Sequence, residues 1–121
     1  MKVKHYRELI VWQRAMQLVK EIYTLTKKLP KEELFGLSSQ MRRAAVSIPS
    51  NIAEGQARSG AKEFAQFLSI AAGSKAELET QLLICVDIGY FSEQDIKNAM
   101  DLSEETEKML SSLIKPLTTS H

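Results

Sequence analysis

The stretch "RRAAVSIPSNIAEG", residues 42–55, decides how this chain folds. Its apolar residues recur at helical spacing, yet Pro49 stands in the middle. An interior proline removes one backbone hydrogen bond and crowds the carbonyl four residues back, here that of Ala45, so a helix through it kinks or breaks. Ser47 and Ser50 can bond the freed backbone groups. Ala44, Ala45, Ser47 and Ala53 are small enough to let a neighbouring helix approach closely. The stretch therefore reads as a bent, closely packed helix, with Arg42 and Arg43 ahead of the bend and Asn51 and Glu54 after it.

Working outward, this helix is predicted over about 38–56, with Met41, Ala44 or Ala45, Ile48 and Ile52 as its apolar face. Upstream, Trp12, Ala15, Val19, Ile22 and Thr26 form one stripe, with Met16 and Tyr23 beside it, and predict a helix over about 8–28. Lys27 and Lys28 suit its C-terminal end, and Pro30 stops it. The connection "KEELFGLSS" has Gly36 as its flexible point and Ser38 or Ser39 as a candidate N-cap. Downstream, "GQARSG" is a turn. Phe64, Leu68, Ala71, Lys75, Leu78, Leu82 and Cys85 predict a third helix over about 61–88, its stripe broken only by Lys75, with Gly89 as a C′ residue. Ser92, with Asp95 three residues on, resembles a capping box and opens a fourth helix over about 92–115. Its stripe is Ile96, Ala99, Ser103, Thr106, Leu110 and Leu113, up to Pro116. Four helices with short connections predict an all-α protein, one antiparallel up-and-down four-helix bundle domain over 1–121, its second helix bent near Pro49.

Composition agrees with one soluble domain. The chain has 121 residues, 44% hydrophobic and 26% charged. No apolar run reaches the about 20 residues that cross a bilayer, and the basic N-terminus lacks the apolar core of a signal peptide. The single cysteine, Cys85, cannot form an internal disulfide. These features predict a cytoplasmic protein with no membrane partner. The net charge is only +1, but residues 1–43 carry ten Lys/Arg against four Asp/Glu, and residues 76–121 carry three against nine. Either basic and acidic helices lie side by side, within one fold or across subunits, or a basic face is presented to phosphates.

Polar residues line up beside the apolar faces. Gln40, Arg43, Ser47, Asn51 and Glu54 share one line of the second helix. Ile70, Ser74, Glu77, Gln81, Ile84 and Ile88 share one of the third. Adjacent helices can bring Arg42 or Arg43 against Glu77, and Asn51 against another polar group. Arg42, Arg43, Ser47, Asn51, Glu54, Glu77 and Gln81 are therefore candidates for a structural pairing layer, in the core or at a subunit interface; the alternative is a solvated helix face.

Catalytic chemistry finds little support. His5 and His121 lie near opposite ends of the chain, and no cluster of His, Cys and carboxylates has metal-ligand spacing. No nucleophile elbow, phosphate loop or dinucleotide fingerprint occurs. No enzyme activity, cofactor or metal is expected. Arg7, Arg14, Lys20, Lys27, Lys28, Arg58 and Lys62, with Arg42 and Arg43, are candidate phosphate contacts. Trp12 and Tyr23 lie on an apolar stripe and read as core rather than as base-stacking platforms.

"LIVWQRAMQLVKEIYTLT", "FGLSSQMRRAAVSIPSNIAEGQAR", "EFAQFLSIAAGSKAELETQLLI" and the Gly89-Tyr90 pair together resemble the bacterial 23S rRNA intervening-sequence protein family, over about residues 6–115. The resemblance rests on Arg42, Arg43, Pro49, Asn51, Glu54 and Gly55 in one motif and Glu77, Glu79 and Gln81 in the other. It implies a left-handed four-helix bundle, a ring-like homopentamer, and kinship in fold with accessory proteins of diversity-generating retroelements, which bind nucleic acid through a basic surface. The location of some family genes inside 23S rRNA genes implies a link to RNA. The expected function is thus a non-enzymatic homo-oligomer that binds RNA or DNA through its basic surface, or else a protein-interaction scaffold with no nucleic-acid ligand.

Overall fold

A computed structural model describes residues 5–118. It contains four α-helices: α1 (Ile10–Thr26), α2 (Leu37–Ala57), α3 (Ala61–Asp87) and α4 (Glu93–Thr118). Short 3-10 turns at Tyr6–Glu8 and Lys31–Glu33 precede α1 and α2. Among the described residues there is no strand. α1 packs on α2 and α4, and α3 likewise packs on α2 and α4, so the four helices close in chain order.

Local chemistry sets the helix ends. α1 begins at Ile10 rather than near residue 8, because residues 6–8 form a 3-10 turn in which His5 Nδ1 accepts the Arg7 N–H at 3.2 Å. At the start of α2 the cap comes from Glu33, whose Oε1 accepts the Leu37 N–H at 3.1 Å. Ser38 and Ser39 already lie inside the first turn. A carboxylate there suits the positive end of the helix dipole. Gly89, at φ +89°, closes α3 as expected: the Tyr90 N–H reaches the Cys85 carbonyl at 2.8 Å and the Gly89 N–H reaches that of Val86 at 3.1 Å. Ser92 and Asp95 form the anticipated reciprocal cap of α4, at 2.9 and 3.1 Å. α4 runs on through Pro116 for two further residues, to Thr118.

The core is aliphatic. Leu18, Ile22, Met41, Ile48, Ile52, Leu68, Leu78, Leu82 and Leu110 are fully buried, and each such side chain contributes about 1.5–3 kcal/mol. The stripes expected on α2, α3 and α4 line this core. On α1 the buried line is Val11, Ala15, Leu18, Ile22 and Leu25, while Met16 and Tyr23 are exposed and Trp12 and Val19 only partly covered. α1 has apolar residues over a wide arc, and its neighbours bury one edge of it. α2 continues through Pro49, which is itself buried.

Particular contacts fix the register. On α2 and α3, Met41 meets Cys85, Ser47 meets Ser74, and Gly55 lies under Phe64 and Phe67. On α3 and α4, Lys75 meets Glu107 and Glu79 meets Ser103. A Cβ added at Gly55 would lie 2.6 Å from the Phe67 Cβ. α2 and α3 therefore pass too closely there for any side chain, and this closeness places their polar lines side by side.

Candidate functional site

The polar lines of α2 and α3 meet along one surface seam. Ser47 Oγ and Ser74 Oγ are 2.7 Å apart. Asn51 Nδ2 donates to Ser47 Oγ at 2.9 Å and to the Ser47 carbonyl at 2.8 Å. Above this floor opens a cavity of about 490 Å³ lined by Phe35, Ser39, Gln40, Arg43, Ala44, Ser47, Ser74 and Glu77. Arg43 and Glu77 are both exposed and face this one cavity, but no ion pair joins them among the described residues. Glu77 Oε2 accepts from Gln81 Nε2 at 3.3 Å, and Gln81 Oε1 is buried without a hydrogen-bond partner.

The remaining seam candidates have other partners. Arg42 turns away from Glu77 toward α1, where its Nε donates to Thr26 Oγ1 at 2.8 Å and its guanidinium lies 4.8 Å from the centre of the Tyr23 ring. Glu54 pairs with Arg58 at 2.7 Å along α2. Arg58 also lies 5.0 Å from the Phe67 ring centre. Contacts of this kind suit a cation over a π face.

A second polar cluster crosses from α3 to α4. Lys75 is only 8% exposed, on the otherwise apolar stripe of α3. Its Nζ lies 3.1 Å from Glu79 Oε1 and 3.3 Å from Glu107 Oε1. Ser103 Oγ donates to Glu79 Oε2 at 2.6 Å. A buried ammonium is tolerated because two carboxylates flank it, one of them held by a hydroxyl. In the sequence Lys75 shows as a break in a stripe and not as the centre of a cluster; the signal for the cluster is a lysine at a core position with Glu79 one turn on.

The basic candidates divide in two. Arg14 is held by Glu105 at 2.9 Å, and Arg58 by Glu54. Arg7, Lys20, Lys27, Lys28 and Lys62 are exposed. Lys20 on α1 and Lys27 at its C-terminal cap flank Tyr23 and the Arg42 guanidinium above it, and make no ion pair among the described residues. Lys28 acts electrostatically on Asp95.

Cys85 is buried beside Met41, and burial, then the Glu33 charge, push its thiol pKa up. A thiol so placed is a poor nucleophile. Among the described residues no group of three or more His, Cys, Asp or Glu side chains is arranged to hold a metal ion; His121 lies outside them. Among the described residues no helix is long and apolar enough to cross a membrane.

The family model described as 23S rRNA-intervening sequence protein matches residues 7–112. Among solved structures, the chain is similar to a protein with unknown function from the S23 ribosomal protein family of Bacteroides thetaiotaomicron VPI-5482. The two share 28% identity with a TM-score of 0.81, over 88% of this chain and 96% of that one. None of the curated proteins matches this chain.

Proposed function

The chain belongs to the 23S rRNA-intervening sequence protein family, and from that premise we propose that it is a non-enzymatic, homo-oligomeric bundle that binds RNA or DNA through the basic face of α1 and α2. The exposed Lys20 and Lys27, on either side of the half-buried Arg42 over Tyr23, support this reading. Lys20 and Lys27 make no ion pair among the described residues and are available to phosphate oxygens. In this proposal the helices run antiparallel, up and down with a left-handed turn, α2 bends at Pro49, and the assembly is a ring of five. Exposed aliphatic residues on α3, namely Ile70, Leu83, Ile84 and Ile88, support association of copies, because a monomer rarely leaves such a row uncovered. The same row favours a second reading, a scaffold that binds protein and not nucleic acid.

Light scattering after size exclusion, at low and moderate salt, with and without a structured RNA, tests the proposal. A multimer that takes up RNA at low salt and releases it as salt rises supports it. Charge reversal at Lys20 and Lys27 is expected to weaken uptake without changing the size of the assembly. A multimer that ignores RNA at both salts would establish the scaffold reading instead. Pro49→Ala tests the bend: unchanged assembly and melting temperature would show that α2 needs none.

A further inference from the structure

Phe35 is 92% exposed, in the connection just ahead of α2, and it borders the seam cavity. Leu34 beside it is exposed as well, so the connection presents an apolar pair to solvent. Beside it are a cation and a carboxylate, Arg43 and Glu77, that do not neutralise each other. The volume of about 490 Å³ lies in the range of small-ligand sites, about 300–1,000 Å³.

We propose that this cavity binds a guanine base, stacked on Phe35 and read by Arg43 and Glu77. Three features match that base. An exposed ring is a stacking platform for an unpaired base of any kind. An arginine fork donates to the paired acceptors O6 and N7 of guanine. A carboxylate accepts from the adjacent N1–H and N2–H donors of guanine. Adenine offers an acceptor at N1 that would face the carboxylate, and a pyrimidine lacks the O6/N7 pair. Glu77 is held for this role, since Gln81 donates to its Oε2, and its Oε1 accepts no hydrogen bond among the described residues. The Ser47–Ser74–Asn51 network bonds chiefly to itself, and its two serines line the floor. Opposite charges in one cavity also disfavour a bare phosphate as its occupant, so the phosphates would lie outside, toward solvent.

The proposal rests on the nucleic-acid reading only in part, because guanine arrives either in a single strand or as a free nucleotide. The test is fluorescence anisotropy with an oligouridine carrying one guanine, against the same strand carrying adenine, with GMP and AMP as competitors. The guanine strand is expected to bind more tightly. Phe35→Ala should weaken its binding by about fivefold to a hundredfold, the range for loss of one stacked base, and Phe35→Trp should restore it. Glu77→Gln should abolish the preference for guanine while sparing binding of both strands. If neither strand binds but fluorescently labelled GMP does, and is displaced by GMP and not by AMP, the guanine site stands and the nucleic-acid reading falls. If both strands bind equally and Phe35→Ala changes nothing, the guanine site is overturned while the nucleic-acid reading survives. If Phe35→Ala changes the size of the assembly and leaves guanine preference intact, Phe35 is a contact between copies and the proposal is likewise overturned.

Discussion

The hydroxyl of Tyr90 donates to Glu33 Oε2 at 2.8 Å while Glu33 Oε1 accepts the first N–H of α2 at 3.1 Å. One carboxylate thus ties the connection after α3 to the connection before α2. The hydrogen bond to Glu33, first, and desolvation, second, raise the Tyr90 pKa above its ordinary value. Tyr90 therefore keeps its proton to higher pH when folded than when unfolded. The stability from this contact is fully present below the ordinary phenol range and lost as pH rises through the raised value. Tyr90→Phe is expected to lower the melting temperature at neutral pH and to flatten its decline in strong alkali. Thermal melts against pH check this.

The capping pair of α4 gives the opposite slope. The hydrogen bond from the Ser92 N–H, aided by Lys28, holds the Asp95 carboxyl below the usual carboxylate range. Its contribution is present above the unfolded value and lost as pH falls through the lowered one. Ser92→Ala should cost about 1 kcal/mol at neutral pH. Asp95→Asn should remove part of the acid sensitivity, read from urea midpoints between neutral and acid pH.

Gly55 and Gly89 are needed for different reasons. Gly55→Ala places a methyl against Phe67 and should cost about 1–3 kcal/mol by overpacking. Gly89→Ala meets open space but must adopt φ +89°, which should cost about 1–2 kcal/mol. Leucine keeps the opposing Cβ, so Phe67→Leu is expected to relieve neither, and its effect should add to that of Gly55→Ala. Chemical denaturation of the singles and the Gly55→Ala, Phe67→Leu double checks this.

Lys75 holds two carboxylates together. Lys75→Ala leaves Glu79 and Glu107 without their cation, and breaking a fully buried pair costs about 3–5 kcal/mol. Glu107 is 43% exposed and can turn to water, so about 2 kcal/mol is expected. Lys75→Met, which keeps the volume, should cost less than Lys75→Ala. If the two variants have equal denaturation midpoints, packing does not contribute.

Burial governs the one thiol. Cys85 is expected to react with an aromatic disulfide reagent only after denaturant unfolds the bundle, because little thiolate forms and access is closed. Reaction at the native rate of an exposed cysteine would show that the α2–α3 contact opens.

The four helices and several of their ends are determined by the sequence alone, since the signals are local. Ser92 with Asp95 needs only three residues of helix to meet, and Gly89 needs only its missing Cβ to turn left-handed. The stripes of α2, α3 and α4 are narrow, so each names its own buried face. The tertiary structure alone decided the rest. α1 is apolar over a wide arc, and only contact with α2 and α4 chose Val11, Leu18 and Leu25 over Met16 and Tyr23 for the interior. Arg42 and Arg43 are adjacent in sequence, but about 100° of helical turn separates them. One therefore lies over Tyr23 of α1 and the other faces the seam with Glu77. Lys75 reads as a defect until α4 brings Glu107 and Ser103 to its side of the core. Periodicity sets an angle around one axis; which charges meet depends on the distance and register between axes, and those are set by close approaches such as Gly55 against Phe67.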